Sequence, residues 1–188
     1  HYNRNRAINQ VPNGEKTKPY NKIKVERTRP EPHIRCRGHN IKQKMKHVDI
    51  YTDGACRGNP GRGGWGAILV YNGTEKEMSG GEKMTTNNRM ELTAAIEALS
   101  ALKEPCDVML CSDSTYLVNA VNKGWLESWK KKGFKKTSTT QVPNTDLWIK
   151  LDRQLARHKI ELVWVRGHDG HEYNERCDRL ATAFADSL

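Results

Sequence analysis

Apolar and polar positions change rhythm several times along the chain, and each rhythm predicts an element. Val48, Ile50 and Thr52 alternate with Asp49, Tyr51 and Asp53, a strand pattern that stops at Gly54. The Gly-rich stretch Gly58-Asn59-Pro60-Gly61-Arg62-Gly63-Gly64 reads as a loop, and the apolar run at 65–71 as the next strand. Asn72-Gly73 is a strong hairpin signal, so Thr74 to Gly80 forms a returning, more polar antiparallel strand. Thr85-Thr86-Asn87-Asn88 supplies capping residues ahead of Leu92, Ala95, Ile96, Leu99 and Leu102, which recur at helical spacing until Pro105. Val108-Met109-Leu110-Cys111 is a continuous apolar run, as expected of a strand covered on both faces. A short helix through Tyr116, Leu117, Val118 and Val121 follows, then an aromatic and basic stretch at 125–136. Asn144 caps a helix carrying Leu147, Trp148, Leu151 and Leu155, and Ile160 to Val165 is another apolar strand. Cys177, Leu180, Ala181, Phe184, Ala185 and Leu188 lie on one stripe of a closing helix. The order β-β-β-α-β-α-(α)-α-β-α predicts an α/β fold, a five-stranded mixed sheet flanked by helices.

Charge divides the chain differently. Of its 188 residues, 32 are Lys or Arg and 22 Asp or Glu, a net charge of +10. Residues 1–47 hold 13 of the basic and 3 of the acidic groups, so residues 48–188 are neutral overall. Only 11 of those first 47 residues are apolar, too few to offset the entropy of ordering them. Two units are therefore expected: a disordered basic extension at 1–46 and a folded domain at 47–188. The extension is acid-poor like an organelle-targeting peptide, but it contains no Ser and is interrupted by Pro12, Pro19, Pro30 and Pro32. No apolar run approaches the roughly 18 residues of a membrane span, so a protein without a membrane partner is expected. Five cysteines, odd in number and without a C-x-x-C pair, fit a reducing compartment, and a cytoplasmic location is the expectation.

The acidic residues carry the chemistry. Asp53 and Asp113 each follow a predicted strand; if those strands are parallel neighbours, both carboxylates emerge at the carboxyl edge of the sheet. Glu91, in the first turn of its helix, and Asp178, beside Cys177, both border buried stripes. Each acid alone has an ordinary explanation, as a turn residue or a complement to a helix dipole. Four converging carboxylates do not, because they repel unless cations neutralise them. All-oxygen ligands suit Mg²⁺, with Mn²⁺ as a substitute, and two such ions form a clamp for phosphoryl displacement. His168, in the glycine-bearing loop Arg166-Gly167-His168-Asp169-Gly170-His171, titrates near neutrality and is a candidate for proton transfer. Zinc is disfavoured, since no Cys or third His completes a set with His168 and His171.

The motifs Tyr51-Thr52-Asp53-Gly54-Ala55-Cys56-Arg57-Gly58-Asn59-Pro60-Gly61, Thr86-Asn87-Asn88-Arg89-Met90-Glu91-Leu92, Ser112-Asp113-Ser114 and Gly167-His168-Asp169-Gly170-His171, with Asn174-Glu175-Arg176-Cys177-Asp178, resemble type-1 ribonuclease H of the bacterial type. The resemblance covers about residues 46–188. It implies a ribonuclease H-like fold and endonucleolytic hydrolysis of the RNA strand of an RNA–DNA hybrid, giving 5′-phosphate and 3′-hydroxyl ends. It implies metal ligation by Asp53, Glu91, Asp113 and Asp178, two Mg²⁺ ions with substrate, and proton transfer or product release by His168. It also implies minor-groove contacts from Cys56, Arg57, Gly58, Asn59, Asn87 and Asn88, with main-chain groups and Glu91 sensing ribose 2′-hydroxyls. A basic protrusion would carry the DNA strand through Trp125, Trp129, Phe134, Lys130, Lys131, Lys132, Lys135 and Lys136. A monomer is expected.

The residues alone leave the tryptophans divided between core anchoring and sugar stacking. Residues 123–136 hold six Lys and one Glu, so the domain's remainder is acidic and a positive protrusion stands apart from the carboxylate site. Thr115 stands where the bacterial enzyme usually has Gln, and the segment from Tyr116 to Trp125 is one residue longer. A non-catalytic nucleic-acid-binding module and a DNA recombinase on a similar fold are the competing readings. The first is opposed by the complete carboxylate set, the second by the ribose-reading segment at 56–59.

Overall fold

A computed structural model describes residues 44–167 and 169–188; the basic extension expected at 1–46 lies outside the described residues as far as residue 43. Five strands form one sheet: β1 (His47–Gly58), β2 (Gly61–Tyr71), β3 (Thr74–Thr85), β4 (Asp107–Ser112) and β5 (Lys159–Trp164). Their spatial order is β3-β2-β1-β4-β5. The hairpin-linked pairs β1–β2 and β2–β3 are antiparallel, while β1–β4 and β4–β5 are parallel. The expected mixed sheet is present, with parallel pairing wherever a helix intervenes.

Helices cover it: α1 (Asn87–Ser100), α2 (Thr115–Asn122), α3 (Trp125–Lys131), α4 (Thr145–Arg157) and α5 (Glu172–Ser187). Side chains alternate along β1. Val48 and Ile50 join Leu92, Ala95 and Leu99 of α1 in the main core, which continues through Leu117, Leu147 and the fully buried Trp148. The other face lies under α5, where the Cys177 thiol donates to the Tyr51 carbonyl at 3.3 Å.

Three strand boundaries differ from expectation, for one reason. β1 does not stop at Gly54, the loop expected at 58–64 narrows to a turn at Asn59-Pro60, and β3 runs past Gly80 to Thr85. Glycine here marks close approach of backbones rather than a turn. A Cβ on Gly64 would sit 2.1 Å from the Ala181 carbonyl oxygen, and one on Gly66 2.3 Å from that of Cys177, so α5 rests directly on β2. A Cβ on Gly54 would meet the Glu91 nitrogen at 2.4 Å, which brings α1 equally close to β1. These contacts fix the helices that carry the candidate site.

Candidate active site

The site forms where β4 ends beside β1. Their parallel ladder closes at the pair Thr52 and Ser112, so the next residue of each strand, Asp53 and Asp113, leaves the same edge. Asp53 is therefore in mid-strand, opposite Gly66 of β2, rather than at a strand end. Asp113 is held between two local bonds. The Ser114 amide donates to Ser112 Oγ at 3.2 Å, and Ser114 Oγ caps α2 by accepting from the Leu117 amide at 3.3 Å.

Glu91 arrives from α1, whose N-cap Thr86 accepts from the Arg89 amide. It sits one residue past the first turn, not within it, so complementing the helix dipole does not account for it. Carboxylate oxygens of Asp53, Glu91 and Asp113 all lie within 4.8 Å of one another. Asp53 and Glu91 are each only 5% exposed.

Burial and mutual repulsion dominate the electrostatics. Burial, then the charges of Asp113 and Asp178, push Asp53 up to about 8, against a lowering hydrogen bond from the Gly54 amide at 2.7 Å. Glu91 is raised well above the ordinary range, first by burial and then by Asp53 and Asp113. Asn87 donates to Glu91 Oε1 at 3.4 Å, but Glu91 Oε2 is buried with no hydrogen-bond partner among the described residues. A buried carboxylate oxygen without a donor, beside two more acids, is an atom that a hard cation satisfies. The residues present fit a divalent metal.

Asp178, half-buried in α5, reaches Asp53 through its charge but stands outside the tight triad. His168 lies outside the described residues. Its neighbour His171 caps α5, with Nδ1 accepting from the Asn174 amide at 3.4 Å, and leans on Tyr51, 5.5 Å between ring centroids.

The expected substrate contacts divide into groups. Asn59 Oδ1 accepts from the Asn87 amide at 3.4 Å, tying the β1–β2 turn, with Gly58 at φ 89°, to the helix that carries Glu91. Cys56 is half-buried nearby, its thiol against the Thr85 carbonyl. The Arg57 guanidinium is engaged by Asp186, with bonds of 2.7 and 2.8 Å. Asn88, Trp129 and Lys136 line one cleft of about 320 Å³ with Tyr116, Pro143 and Asn144, so α1 and the basic protrusion face each other across it.

The tryptophans separate. Trp129 packs its ring edge-on at 5.3 Å from Trp148 and, with Phe134, against the core, whereas Trp125 stays 42% exposed under Lys123. Lys130 is neutralised by Glu127 and Asp152, while Lys131, Lys132, Lys135 and Lys136 enter no ion pair among the described residues.

Sequence reasoning missed two supports. Arg89 grips Asp146 with bonds of 3.0 and 2.9 Å, joining α1 to α4. The Tyr116 hydroxyl, read only as part of an apolar stripe, accepts from Trp148 Nε1 and Asn144 Nδ2. No local signal reveals either pairing, since the partners lie 57, 32 and 28 residues apart.

A mixed sheet whose parallel central strands bring Asp53 and Asp113 to one edge, with Glu91 of α1 beside them, defines an α/β protein with a carboxylate-centred candidate active site. The chain belongs to the RNase H family, whose pattern matches residues 45–186. It is an enzyme of that family, in the type-1 branch that its motifs resemble. Ribonuclease H of Chelativorans sp. (strain BNC1) is 61% identical over 139 residues, 74% of this chain and 85% of the relative. That of Acetivibrio thermocellus is 62% identical over 138 residues, 73% of this chain and 94% of the relative. Among solved structures, LC9-RNase H1, a type 1 RNase H with the type 2 active-site motif, matches with a TM-score of 0.69 at 32% identity, covering 76% of this chain and 74% of its own. LC11-RNase H1 in complex with RNA/DNA hybrid matches with a TM-score of 0.57 at 25% identity, over 74% and 97% of the two chains.

Proposed function

We propose that the chain hydrolyses the RNA strand of RNA–DNA hybrids by two-metal-ion catalysis, leaving 5′-phosphate and 3′-hydroxyl ends. The observation that carries this reading is the convergence of Asp53, Glu91 and Asp113 around a buried, unpartnered Glu91 oxygen. Asp53, Glu91, Asp113 and Asp178 would hold Mg²⁺, or Mn²⁺ in its place. When bound, the ions activate the attacking water and stabilise the leaving 3′ oxygen. Burial of Asp53 and Glu91 keeps the ligands in one geometry before substrate arrives, and the Asn87 bond orients Glu91. His168 moves the proton to or from the reacting oxygens.

Substrate choice rests on the edge that carries the acids. Main-chain groups of residues 56–58, with Asn59, Asn87, Asn88 and Glu91, read the minor groove and its 2′-hydroxyls. Trp125, exposed beside Lys123, and Lys131, Lys132, Lys135 and Lys136, which enter no ion pair among the described residues, hold the DNA strand's sugars and phosphates. Trp129 and Phe134 act from the core side, as the floor of that surface. Residues 1–46 are a cationic arm that adds hybrid affinity without sequence preference. The protein acts as a monomer in the cytoplasm; among the described residues Cys56, Cys106, Cys111 and Cys177 are free thiols, as a reducing compartment keeps them. Among the described residues no helix is long and apolar enough to cross a membrane.

The test uses a hybrid labelled on its RNA strand. The wild-type chain yields products whose 5′ ends accept no phosphate from a kinase until a phosphatase has acted. Asp113→Asn binds the hybrid but cleaves it at least about 100-fold more slowly, by analogy with other metal-positioning losses. Persistent cleavage by Asp113→Asn contradicts the ligand assignment.

A further inference from the structure

The end of β5 and the first residues after it are built against Asp113. The Val165 amide donates to the Ser112 carbonyl at 3.1 Å, which carries the β4–β5 pairing one step beyond Trp164. Trp164, 50% exposed, donates its indole Nε1–H to the Asp113 carbonyl at 3.1 Å. A large apolar ring left half in water at a strand end gains little from packing, so the hydrogen bond is its distinguishing interaction.

Gly167 meets the carboxylate itself. A Cβ at that position would lie 2.5 Å from Asp113 Oδ2, 3.4 Å from Cγ and 3.5 Å from Cβ, and these three nearest atoms all belong to Asp113. The backbone does not demand glycine there: Gly167 is absent from the positive-φ residues, which in the same loop include Gly170 at 76°. What excludes a side chain at 167 is the volume that the Asp113 carboxylate occupies.

We propose that Trp164 and Gly167 are positioning residues for Asp113: the indole pins the residue's carbonyl, and the missing side chain leaves room for the carboxylate to join Asp53 and Glu91. This rests on the reading of Asp113 as a metal ligand. A methyl group at 167 relieves its overlap most cheaply by rotating the carboxylate, which is the far end of a side chain, rather than by moving a strand. The cost then falls on metal affinity and not on folding. Trp164→Phe keeps an aromatic ring but removes the N–H donor together with the five-membered ring, so it releases the Asp113 carbonyl that the indole holds.

The experiment titrates Mn²⁺ into the full chain and follows the free ion by electron paramagnetic resonance. Wild type, Asp113→Asn, Gly167→Ala and Trp164→Phe are compared, each with its melting midpoint in EDTA and its hybrid kcat and KM. Asp113→Asn loses most of the binding. Gly167→Ala weakens it by about 10- to 100-fold, the range for residues that orient metal ligands, and Trp164→Phe by a smaller factor. In both positioning variants kcat falls, KM for the hybrid and the melting midpoint stay at wild-type values, and added metal restores turnover. Wild-type Mn²⁺ affinity in Gly167→Ala and Trp164→Phe, with Asp113→Asn impaired, overturns the positioning roles and leaves the metal reading standing. Wild-type affinity in Asp113→Asn overturns the metal reading and the positioning roles with it. If Gly167→Ala lowers the midpoint along with affinity, Trp164→Phe decides, and its wild-type affinity overturns the proposal.

Discussion

Replacing Asp53 by Asn should stabilise the metal-free protein. The Asp53 carboxyl is raised from 3.8 to about 8 by burial and by the charges of Asp113 and Asp178. The sign follows from linkage. Between those two values the folded chain retains a proton that the unfolded chain has released, so stability falls as pH rises through this window. At pH 7 roughly three pH units lie above the free-chain value, and at about 1.4 kcal/mol each the ceiling on the cost is about 4 kcal/mol. Glu91 repels the same charge and takes a share, which leaves a gain of about 2–4 kcal/mol for Asp53→Asn at pH 7. The amide fills the same space and keeps no charge. Urea unfolding in EDTA measures the difference, which should shrink by about 1–3 kcal/mol when the pH is lowered to 5. Excess Mg²⁺ should narrow it as well, by stabilising wild type more than the variant. A gain below about 0.5 kcal/mol at pH 7, or one that does not change with pH, refutes the reasoning.

Three other outcomes follow from the same contacts. Gly64→Ala should cost about 3 kcal/mol or more in urea unfolding, because its methyl would face the Ala181 oxygen at 2.1 Å and the Ala185 nitrogen at 2.8 Å, both backbone atoms; a loss under about 1 kcal/mol contradicts the close seating of α5. His158 is buried and accepts from the Cys106 amide at 3.1 Å, and burial followed by Arg157 lowers its pKa. The unfolded chain therefore binds a proton that the folded chain resists, stability is lost as pH falls below about 6.5, and His158→Gln should flatten that acid limb of the unfolding profile. Removing residues 1–43 takes away 11 basic and 3 acidic groups, so hybrid binding should weaken most at low salt and its salt dependence become shallower, with kcat within a few-fold of the full chain. The cut belongs ahead of Lys44, since the Lys46 carbonyl accepts from the Asp107 amide at 2.9 Å and its ammonium pairs with Glu104.

Much of the fold was legible because topology follows from the kind of connection. Asn72-Gly73 forces a hairpin, and the capped helix between β3 and β4 carries the chain across the sheet to lay β4 parallel beside β1. Strand lengths were less legible. Gly61, Gly63 and Gly64 carry the composition of a loop, yet they sit in β2 because the Arg57 backbone, the Thr85 and Met90 side chains and the α5 backbone respectively leave no space for side chains. Asp53, Glu91 and Asp113 could be found from strand ends and helix stripes, since parallel neighbours deliver residues to one edge. Lys130 could not be separated from the other lysines, because Asp152, which neutralises it, comes from a different helix. Trp164 and Gly167 were invisible for the same reason: what they do is defined only by Asp113, about fifty residues earlier in the chain.

The central claim is that converging carboxylates make this chain a metal-dependent nuclease of hybrids. The direct measurement is cleavage by the full chain of one labelled RNA, offered as an RNA–DNA hybrid, as single-stranded RNA and as duplex RNA, with Mg²⁺ or with EDTA. The account predicts cleavage of the hybrid alone and only with Mg²⁺. Cleavage that persists in EDTA, or that is equally fast on single-stranded RNA, would contradict it.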